Sequence, residues 1–564
     1  MKKISKNIKY LLLFVSLLIL IMSCNVNTAF AEPAIHIQEE QREKARQDAL
    51  DKKEREERRD VFLQEPSKGE TKIELPQEEV NFFIKNIELE GKHIEKFNWL
   101  YQHLKVYENK HIGLNGINLI LKEANNSLID RGFVTSRVVV QEQDLSSGVL
   151  KFYFMPGMIN AILFDETSSG NWKTAFPTRP GSILNLRDLE QGLEQLKRVA
   201  SQDADMQIIP AAEEGKSDIL ITVKRTKPWK LMTSLDDSGS KATGKLQSSQ
   251  TLSIDNIFQA NDLFNISLNH DAEKNGRRYG TSGNSFYYSR PSGNYTYTLS
   301  YNSFKYHQRI FAELDPLIYS GHSKDLRLKV EKLLQRNQNS KTHLELGLIH
   351  RQSKSFVEDT EIRIQRKKTT TFTTALAQKK YLGKAVFDAR LTHKLGVPWF
   401  DAQADLREST GFTTRYQIWN LDLSFTKPVV MGKTQAQYKV NLSGQFTNNR
   451  LLAADCFSIG SRYTVRGFDG EETLMGERGW YLQNEISVPL KNNAEIYLGL
   501  DYGQVGGPSA DQLTTKSLLG AVVGVRGSLG KVGWYDVFAG SPLKKPASFK
   551  AKKQTYGFQV VFQI

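Results

Sequence analysis

The sequence predicts a membrane protein: a sixteen-stranded transmembrane β-barrel preceded by a charged helix and two small α+β units. Three observations indicate this fold class. Beyond about residue 227, apolar and polar residues alternate with a period of two, which is typical of barrel strands. Aromatic residues make up 10% of the chain, yet no run of about 18 apolar residues follows residue 31. The N-terminus carries the features of an export signal.

Composition narrows the possible classes without choosing among them. The 564 residues carry a formal charge of +14, and the mean hydropathy of −0.44 is compatible with a large soluble β protein as well. Only two cysteines occur, Cys24 and Cys456, which excludes a disulfide framework and a zinc site built on paired cysteines. The export signal therefore has to decide between a barrel and a soluble protein.

Residues 1–31 are predicted to be a secretory signal peptide. Four lysines precede an apolar stretch from Leu11 to Met22, and Ala29-Phe30-Ala31 offers a small-x-small cleavage site before Glu32. A short membrane anchor or a lipoprotein site at Cys24 are the alternatives, and the sequence fits both less well. We expect a mature, exported chain.

Residues 32–60 are predicted to form a charged helix, followed by a flexible linker over 61–76. Opposite charges recur four residues apart, as at Glu54 and Arg58, and this spacing supports a helix. Almost no apolar face is present, so the helix cannot belong to a hydrophobic core. Two arrangements stay open: a solvated arm, or a rod that plugs a polar channel.

Two units of about 75 residues follow, at 77–156 and 157–226, and they repeat one plan. Each plan has a strand, an amphipathic helix (Leu114–Arg131 or Leu186–Val199) and two further strands. This order resembles the POTRA domain. The resemblance implies a sheet edge that can accept an extended guest strand, although a plain spacer is the alternative.

The barrel is predicted over residues 227–564. Alternation is clear in segments such as Tyr295–Tyr301 and Leu421–Phe425, and the chain ends on an alternating strand up to Ile564. An even number of strands is what closure of a bacterial barrel requires. Candidate strands begin near residues 229, 244, 261, 282, 293, 325, 341, 368, 383, 413, 434, 478, 493, 518, 531 and 554.

The longest outward connection, residues 448–477, carries the motif Val465-Arg466-Gly467-Phe468, and Gly499-Leu500-Asp501-Tyr502-Gly503 falls on the thirteenth candidate strand. Here the chain resembles the two-partner secretion transporters (the TpsB family). The resemblance covers the whole mature chain, and Asp236-Asp237 favours the haemolysin-activator and contact-dependent growth-inhibition branch.

That resemblance implies roles for the motif residues. The loop would fold back into the barrel, with Arg466 paired to Asp501 as a lock between loop and wall. Val465, Gly467 and Phe468 would form the loop tip, and Gly499 and Gly503 would leave room on the wall. Arginine offers a rigid donor fork for a carboxylate, which suits the first of these roles.

The resemblance also implies the function. A large secreted exoprotein (a haemolysin, an adhesin or a growth-inhibition toxin) would dock on the POTRA domains in the periplasm, displace the charged helix and cross the outer membrane without ATP. Other expected partners are outer-membrane lipid and the barrel-assembly machinery. We expect no enzyme activity, cofactor, metal or nucleic-acid partner.

The sequence leaves two alternative functions open and contains one misleading motif. A barrel-assembly factor shares the loop motif but usually has three or more POTRA units, and a passive porin-type channel needs neither repeat nor helix. The segment Gly239–Lys245 is spaced like a phosphate-binding loop, but Leu246 replaces the hydroxyl residue and strands follow it.

We expect Cys456 to react with a thiol reagent added from outside the cell if its loop segment is exposed; burial in a folded-back loop is the alternative.

Overall fold

The computed structural model describes residues 34–58, 60–63, 74–166, 168, 170–273, 276, 278–311 and 316–564. The predicted signal peptide and most of the predicted linker lie outside these residues. The helices are α1 (Ala34–Glu57), α2 (Asn98–Lys105), α3 (Leu114–Asp130), α4 (Trp172–Ala175), α5 (Leu186–Lys197) and α6 (Arg407–Thr410). None of the helices in the described ranges is long and apolar enough to cross a membrane.

Each of the two N-terminal units has a three-stranded sheet covered by helices. The strands are β1 (Phe82–Ile84), β2 (Asn86–Gly91), β3 (Lys110–Ile112), β4 (Arg137–Val139), β5 (Val149–Met155), β6 (Met158–Phe164), β7 (Gln202–Pro210) and β8 (Lys216–Arg225). The sheet orders are β2-β5-β4 and β6-β8-β7, and the first pair in each sheet is parallel. The repeat is therefore present in the topology.

Helix α5 shows how the sequence specifies these units. The Asn185 side chain accepts a hydrogen bond from the backbone N–H of Arg187 at 2.8 Å, which caps the helix N-terminus. Leu189, Leu193 and Leu196 recur at helical spacing and are buried against the sheet. The opposite side of α5 carries Glu190 and Glu194, which face the barrel.

Sixteen strands close the barrel, and the predicted fold class is confirmed. A further two-residue strand, Thr360–Glu361, pairs only with Phe356 and Val357. The barrel strands are β9 (Trp229–Asp236), β10 (Gln247–Asp255), β11 (Leu263–Asp271), β12 (Tyr279–Ser292), β13 (Tyr295–Phe311), β14 (Pro316–Arg336), β15 (Ser340–Val357), β16 (Lys367–Leu382), β17 (Ala385–Val397), β18 (Gln417–Met431), β19 (Thr434–Phe446), β20 (Arg478–Pro489), β21 (Ala494–Gly506), β22 (Ser517–Ser528), β23 (Gly533–Lys544) and β24 (Thr555–Gln563).

Neighbouring strands are antiparallel throughout, and β24 pairs with β9 to close the cylinder. The sixth strand differs from the expectation, because β14 begins nine residues before the predicted start near 325. Strands β13 and β14 continue as a paired ribbon beyond the lipid-facing band. No lipid imposes apolar alternation there, so the pattern that reveals a membrane strand is missing from this part.

Helix α1 lies inside the barrel. Its polar side chains contact lumen-facing residues on widely separated strands: Arg46 contacts Asn269 of β11, Lys53 lies 4.1 Å from the centre of the Trp534 ring of β23, and Glu56 pairs with Lys439 of β19. A helix that is polar all round is suited to such a surrounding. Of the two arrangements that the sequence left open, the structure has the rod in the lumen.

Candidate functional site

The long connection between β19 and β20 turns back into the barrel. Its two arms form a short hairpin, in which Phe457–Ile459 pairs with Leu474–Gly476. Between the arms, the segment around Arg466 reaches the inner faces of β20, β21 and β22. The tip and the wall residues named from the sequence are therefore brought together.

Arg466 and Asp501 form a multidentate contact. The Arg466 Nε lies 2.7 Å from Asp501 Oδ2, its Nη2 lies 2.9 Å from Oδ1, and its backbone N–H donates to Oδ2 at 2.9 Å. The Asp501 side chain is fully buried, and the Arg466 side chain is 15% exposed. Such a fork-shaped contact fixes both the position and the orientation of the guanidinium group.

Sequence reasoning missed the second carboxylate of this site. Glu485 on β20 accepts a hydrogen bond from the other guanidinium nitrogen of Arg466 and pairs with Arg526 of β22 at 2.8 Å. Its place on the wall follows from the register, which sets Glu485 opposite Gly499 and Gln483 opposite Asp501. Alternation along β20 could have marked Glu485 as lumen-facing, but only closure of the barrel brings it to Arg466.

The loop tip is also held by apolar packing. Val465 and Phe468 are buried, and the Phe468 ring meets the Phe549 ring edge to face with centres 5.7 Å apart. The cluster that surrounds them comprises Ile459, Leu474, Val505, Ala510 and Leu518. This small core makes the loop a packed part of the barrel.

Several glycines permit the close approach of loop and wall. A Cβ on Gly499 would lie 2.6 Å from Arg466 Nη2, and a Cβ on Gly503 would lie 2.8 Å from the Val465 side chain. Gly467 has a φ of +100°, which favours glycine. Gly520, which the sequence did not single out, is the tightest, because its Cβ would lie 2.0 Å from the Arg466 carbonyl oxygen.

A second ion pair ties the loop to the first outward turn of the barrel. The guanidinium of Arg462 donates to the carboxylate of Asp237, which also accepts from the backbone N–H of Phe558 at 2.9 Å. This contact joins the loop to the seam where β9 meets β24. The nearby segment that is spaced like a phosphate-binding loop is a hairpin turn, closed by a hydrogen bond from Gly239 N to Lys245 O at 3.1 Å.

The outward end of α1 rests on the same loop. Lys44 Nζ donates to the carbonyl oxygens of Ala454 and Cys456, both at 3.1 Å, and Arg42 donates to Gly470 O at 2.8 Å. Cys456 is buried beneath these contacts. The structure thus has the second of the two arrangements considered for this cysteine, in which the folded-back loop shields it.

Water-sized space remains around the helix. A cavity of about 1100 Å³ runs between α1 and the barrel wall, and most of the residues that line it are polar or charged. In that lining, the Tyr287 hydroxyl donates to Glu54 at 3.0 Å; elsewhere between helix and wall, Ser353 Oγ donates to Glu40 at 2.6 Å. Among the described residues, no group of three His, Cys, Asp or Glu side chains could hold a metal ion.

At the periplasmic mouth, the segment after α1 meets the second N-terminal unit and the barrel in one buried cluster, here called the junction. The junction comprises Asp60, Val61, Glu190, Glu194, Arg336, Lys341 and Lys379. Arg336, at the end of β14, is 2% exposed and contacts Glu194 at 3.0 Å and Glu190 at 3.3 Å. It also donates to the side-chain oxygen of Gln191 at 3.0 Å and to the carbonyl oxygen of Val61.

Lysines complete the junction. Lys341 contacts both Asp60 and Glu194, the latter at 2.7 Å, and Lys379 lies 2.6 Å from Asp60. Burial acts to raise the pKa of the Asp60 carboxyl, but the two ammonium groups outweigh it and hold that pKa below its usual range. The junction therefore connects α1, α5 and the barrel rim through shared ionic partners.

Comparisons with known proteins agree with this architecture. The family described as haemolysin secretion/activation protein ShlB/FhaC/HecB matches residues 215–527, and two POTRA families match residues 82–157 and 158–210. The outer membrane transporter CdiB-2 of Burkholderia pseudomallei (strain 1026b) is 41% identical over 478 residues, which is 84% of this chain and 82% of that protein.

Two further relatives are more distant. The hemolysin transporter protein ShlB of Serratia marcescens is 26% identical over 396 residues, covering 69% of this chain and 70% of that protein. The solved structure of CdiB from Acinetobacter baumannii has a TM-score of 0.85 at 29% identity, and the match covers 95% of this chain and 100% of that one.

A closed barrel with an inward loop, preceded by two POTRA domains, defines the class of two-partner secretion transporters, which act in the outer membrane with their POTRA domains in the periplasm. The chain belongs to the ShlB/FhaC/HecB haemolysin secretion/activation family. Family membership decides between the alternatives raised by the sequence, in favour of the transporter over the assembly factor and the porin.

Proposed function

We propose that the exported partner is a large exoprotein of the contact-dependent growth-inhibition type, captured in the periplasm by the two POTRA domains. The identity of 41% to a CdiB transporter, against 26% to a haemolysin transporter, favours this branch. Helix α1 leaves the lumen during export, and the chain acts as a conduit and not as an enzyme. The last strand serves recognition by the barrel-assembly machinery during biogenesis.

The observation that carries this proposal is the way in which the lumen is occupied. Helix α1 is held by hydrogen bonds and ion pairs to polar wall residues, with water-sized space beside it. Water can replace each of these contacts when the helix leaves, and partly solvated ion pairs of this kind contribute little to stability. The helix is therefore a removable plug, while the barrel stays closed around an aqueous path.

The junction supplies the connection between cargo capture and plug release. Glu190 and Glu194 of α5 share Arg336 and Lys341 with the segment that follows α1. A shift of the second POTRA domain on cargo docking would separate these shared partners. The segment at Asp60 and Val61 would then lose its attachment to the periplasmic mouth, and α1 would be free to leave.

The lock between Arg466 and Asp501 has a different role in the proposal. It holds the loop against β20 to β22, away from the space that α1 vacates, and so keeps the conduit open on one side. No nucleotide is needed, because folding of the exoprotein outside the cell removes it from the threading equilibrium. The gradient in free energy is then supplied by the cargo itself.

Cross-linking the plug tests the proposal. In a Cys456→Ser background, Glu40→Cys and Ser353→Cys place one thiol on α1 and one on β15, at positions whose side chains now touch. Joining them with a short bismaleimide should abolish surface delivery of the exported exoprotein, measured by immunoblot of intact cells. Export at the uncrosslinked level after complete joining would show that α1 does not leave.

A matched control ties two wall strands without involving α1. Thr251 and Ser267 are directly opposite each other on β10 and β11, and their hydroxyl oxygens are 2.8 Å apart. Thr251→Cys/Ser267→Cys, treated in the same way, should export at the level of the untreated protein. A loss of export in this control as well would assign the effect to the reagent.

A further inference from the structure

Basic side chains project outward from four adjacent strands, at the end of the barrel opposite the POTRA domains. This patch, here called the basic patch, comprises Lys305 of β13, His322 and Lys324 of β14, His350 and Lys354 of β15 and Lys368 of β16. Along each strand these positions alternate with lumen-facing ones, as Asp325 shows by pairing with Arg351 inside the barrel. The basic patch therefore faces away from the conduit.

The register brings the patch residues side by side. His322 is directly opposite Lys305 on one neighbouring strand and Lys354 on the other. Lys324 is opposite Gln352, which in turn is opposite Lys368. Neighbouring strands are roughly 5 Å apart, so these groups span one continuous surface about 15 Å wide.

The basic patch lies directly above the apolar band of the barrel. On β14 the outward residues after Lys324 are Leu326 and Leu328, both exposed, and Leu326 is opposite Tyr301. One outward position is roughly 7 Å from the next along a strand. The ammonium groups are thus at headgroup level when the leucines lie among acyl chains.

An outward loop frames the patch with aromatic side chains. Trp399 is 49% exposed and Phe400 is 64% exposed, and the Trp399 ring packs on outward-facing Phe372 with centres 6.0 Å apart. Thr370 fixes the turn by donating to the Trp399 carbonyl oxygen at 2.8 Å. Aromatic side chains of this kind mark the membrane–water interface.

The charges of the patch are only partly balanced. Lys368 pairs with Asp401 at 2.5 Å, and Lys354 lies 3.6 Å from Glu361, which is shared with Arg366. Lys305 and Lys324 are exposed and have no ion-pair partner within the part of the chain that the structure describes. The ammonium groups of Lys305 and Lys324 at headgroup level can therefore bind an external anion.

We propose that the basic patch binds the phosphorylated sugar headgroup of an outer-leaflet glycolipid, of the bisphosphorylated lipid A class. The acyl chains would lie on the apolar band below the lysines, and the phosphates would contact Lys305 and Lys324. Continuity with the lipid-facing band favours a lipid over a soluble phosphate. The bound lipid would fix the depth and tilt of the barrel wall at β13 to β16.

Native mass spectrometry of the full-length protein in detergent tests this site, with bisphosphorylated lipid A as the probe. Lys305→Gln/Lys324→Gln should weaken binding by about 10- to 30-fold, since each interfacial lysine contributes to attraction of anionic headgroups. The matched control is Lys332→Gln/Lys427→Gln, which removes two exposed lysines from strand segments near the periplasmic end. The control should bind lipid A as the unmodified protein does.

Three outcomes would overturn the proposal. These are equal binding by the patch variant and the unmodified protein, equal binding of dephosphorylated lipid A, or complete competition by inorganic phosphate at a concentration similar to that of the lipid. Export of the exoprotein is measured in parallel. The site does not depend on the proposed cargo, so failed lipid binding with normal export contradicts only the lipid site.

Discussion

The inward loop and helix α1 fill the same lumen by different means. The loop brings its own apolar core, with Val465 and Phe468 buried, and a fully buried carboxylate partner in Asp501. The helix buries no comparable apolar face and relies on polar contacts beside a cavity of about 1100 Å³. Both segments are charged, but the loop adds a buried apolar cluster to its polar contacts, whereas most of the described side chains of α1 are at least partly exposed.

This difference indicates which of the two can leave. Removing the loop would expose an apolar cluster and leave the buried Asp501 carboxylate without its arginine partner, which is strongly unfavourable. Removing the helix exchanges polar contacts for water, which costs little per contact. We infer that the loop belongs to the permanent barrel and that the helix is a temporary occupant.

The strongest test of this comparison removes the lock. Arg466→Ala leaves the buried carboxylate of Asp501 without its partner, at a cost of about 3–5 kcal/mol. Asp501→Ala leaves Arg466 with Glu485 alone, and both variants should reduce export of the exoprotein by about ten-fold or more. The barrel should still insert, as heat-modifiable mobility on gels will report. Arg363→Ala, which alters an exposed arginine in an outward turn, serves as the control. Normal export by both lock variants would contradict the role of the loop.

Deleting residues 35–60 tests the helix side. Without α1 the lumen has only the loop inside it, so single-channel conductance in planar bilayers should increase several-fold. The loop contacts the barrel wall largely without the help of α1, so the barrel should remain folded after the deletion. A conductance equal to that of the full chain would mean that α1 does not obstruct the path.

A smaller effect distinguishes tight from loose packing at the loop. Gly520→Ala places a Cβ 2.0 Å from the Arg466 carbonyl oxygen, so the loop must shift, at about 1–3 kcal/mol. We expect a lower unfolding temperature and reduced export. Gly506→Ala on β21 meets nothing within 4 Å and should behave as the unmodified protein. Equal effects of the two substitutions would argue against close loop packing.

The smallest expected effect concerns pH at the junction. The folded pKa of Asp60 lies below its usual value, so its ionic contacts are fully present above about pH 4 and are lost as the pH falls toward the folded pKa. Conductance should be constant between about pH 8 and pH 5 and rise below about pH 4. Asp60→Asn should show raised conductance already at neutral pH, and a conductance at the unmodified level would exclude Asp60 as an attachment point.

Much of the site could be predicted because several of its residues belong to short sequence motifs. Arg466, Gly467 and Asp501 stand in recognisable short motifs, and the structure brings them within hydrogen-bond distance. Glu485, Arg526 and Gly520 carry no such pattern, and neither do the junction residues Arg336 and Lys341. Their partners are more than a dozen residues away, and they meet only when the barrel closes and the second POTRA domain packs on its rim.

The sequence by itself determined the number and order of the barrel strands, since lipid on one side and water on the other impose alternation strand by strand. It also determined that α1 is polar all round and so unfit for a hydrophobic core. Only the tertiary structure decided where α1 lies, how the loop is anchored and which charges share the junction. Those outcomes depend on the register around a closed barrel, which sets distant residues face to face and leaves no trace in local spacing.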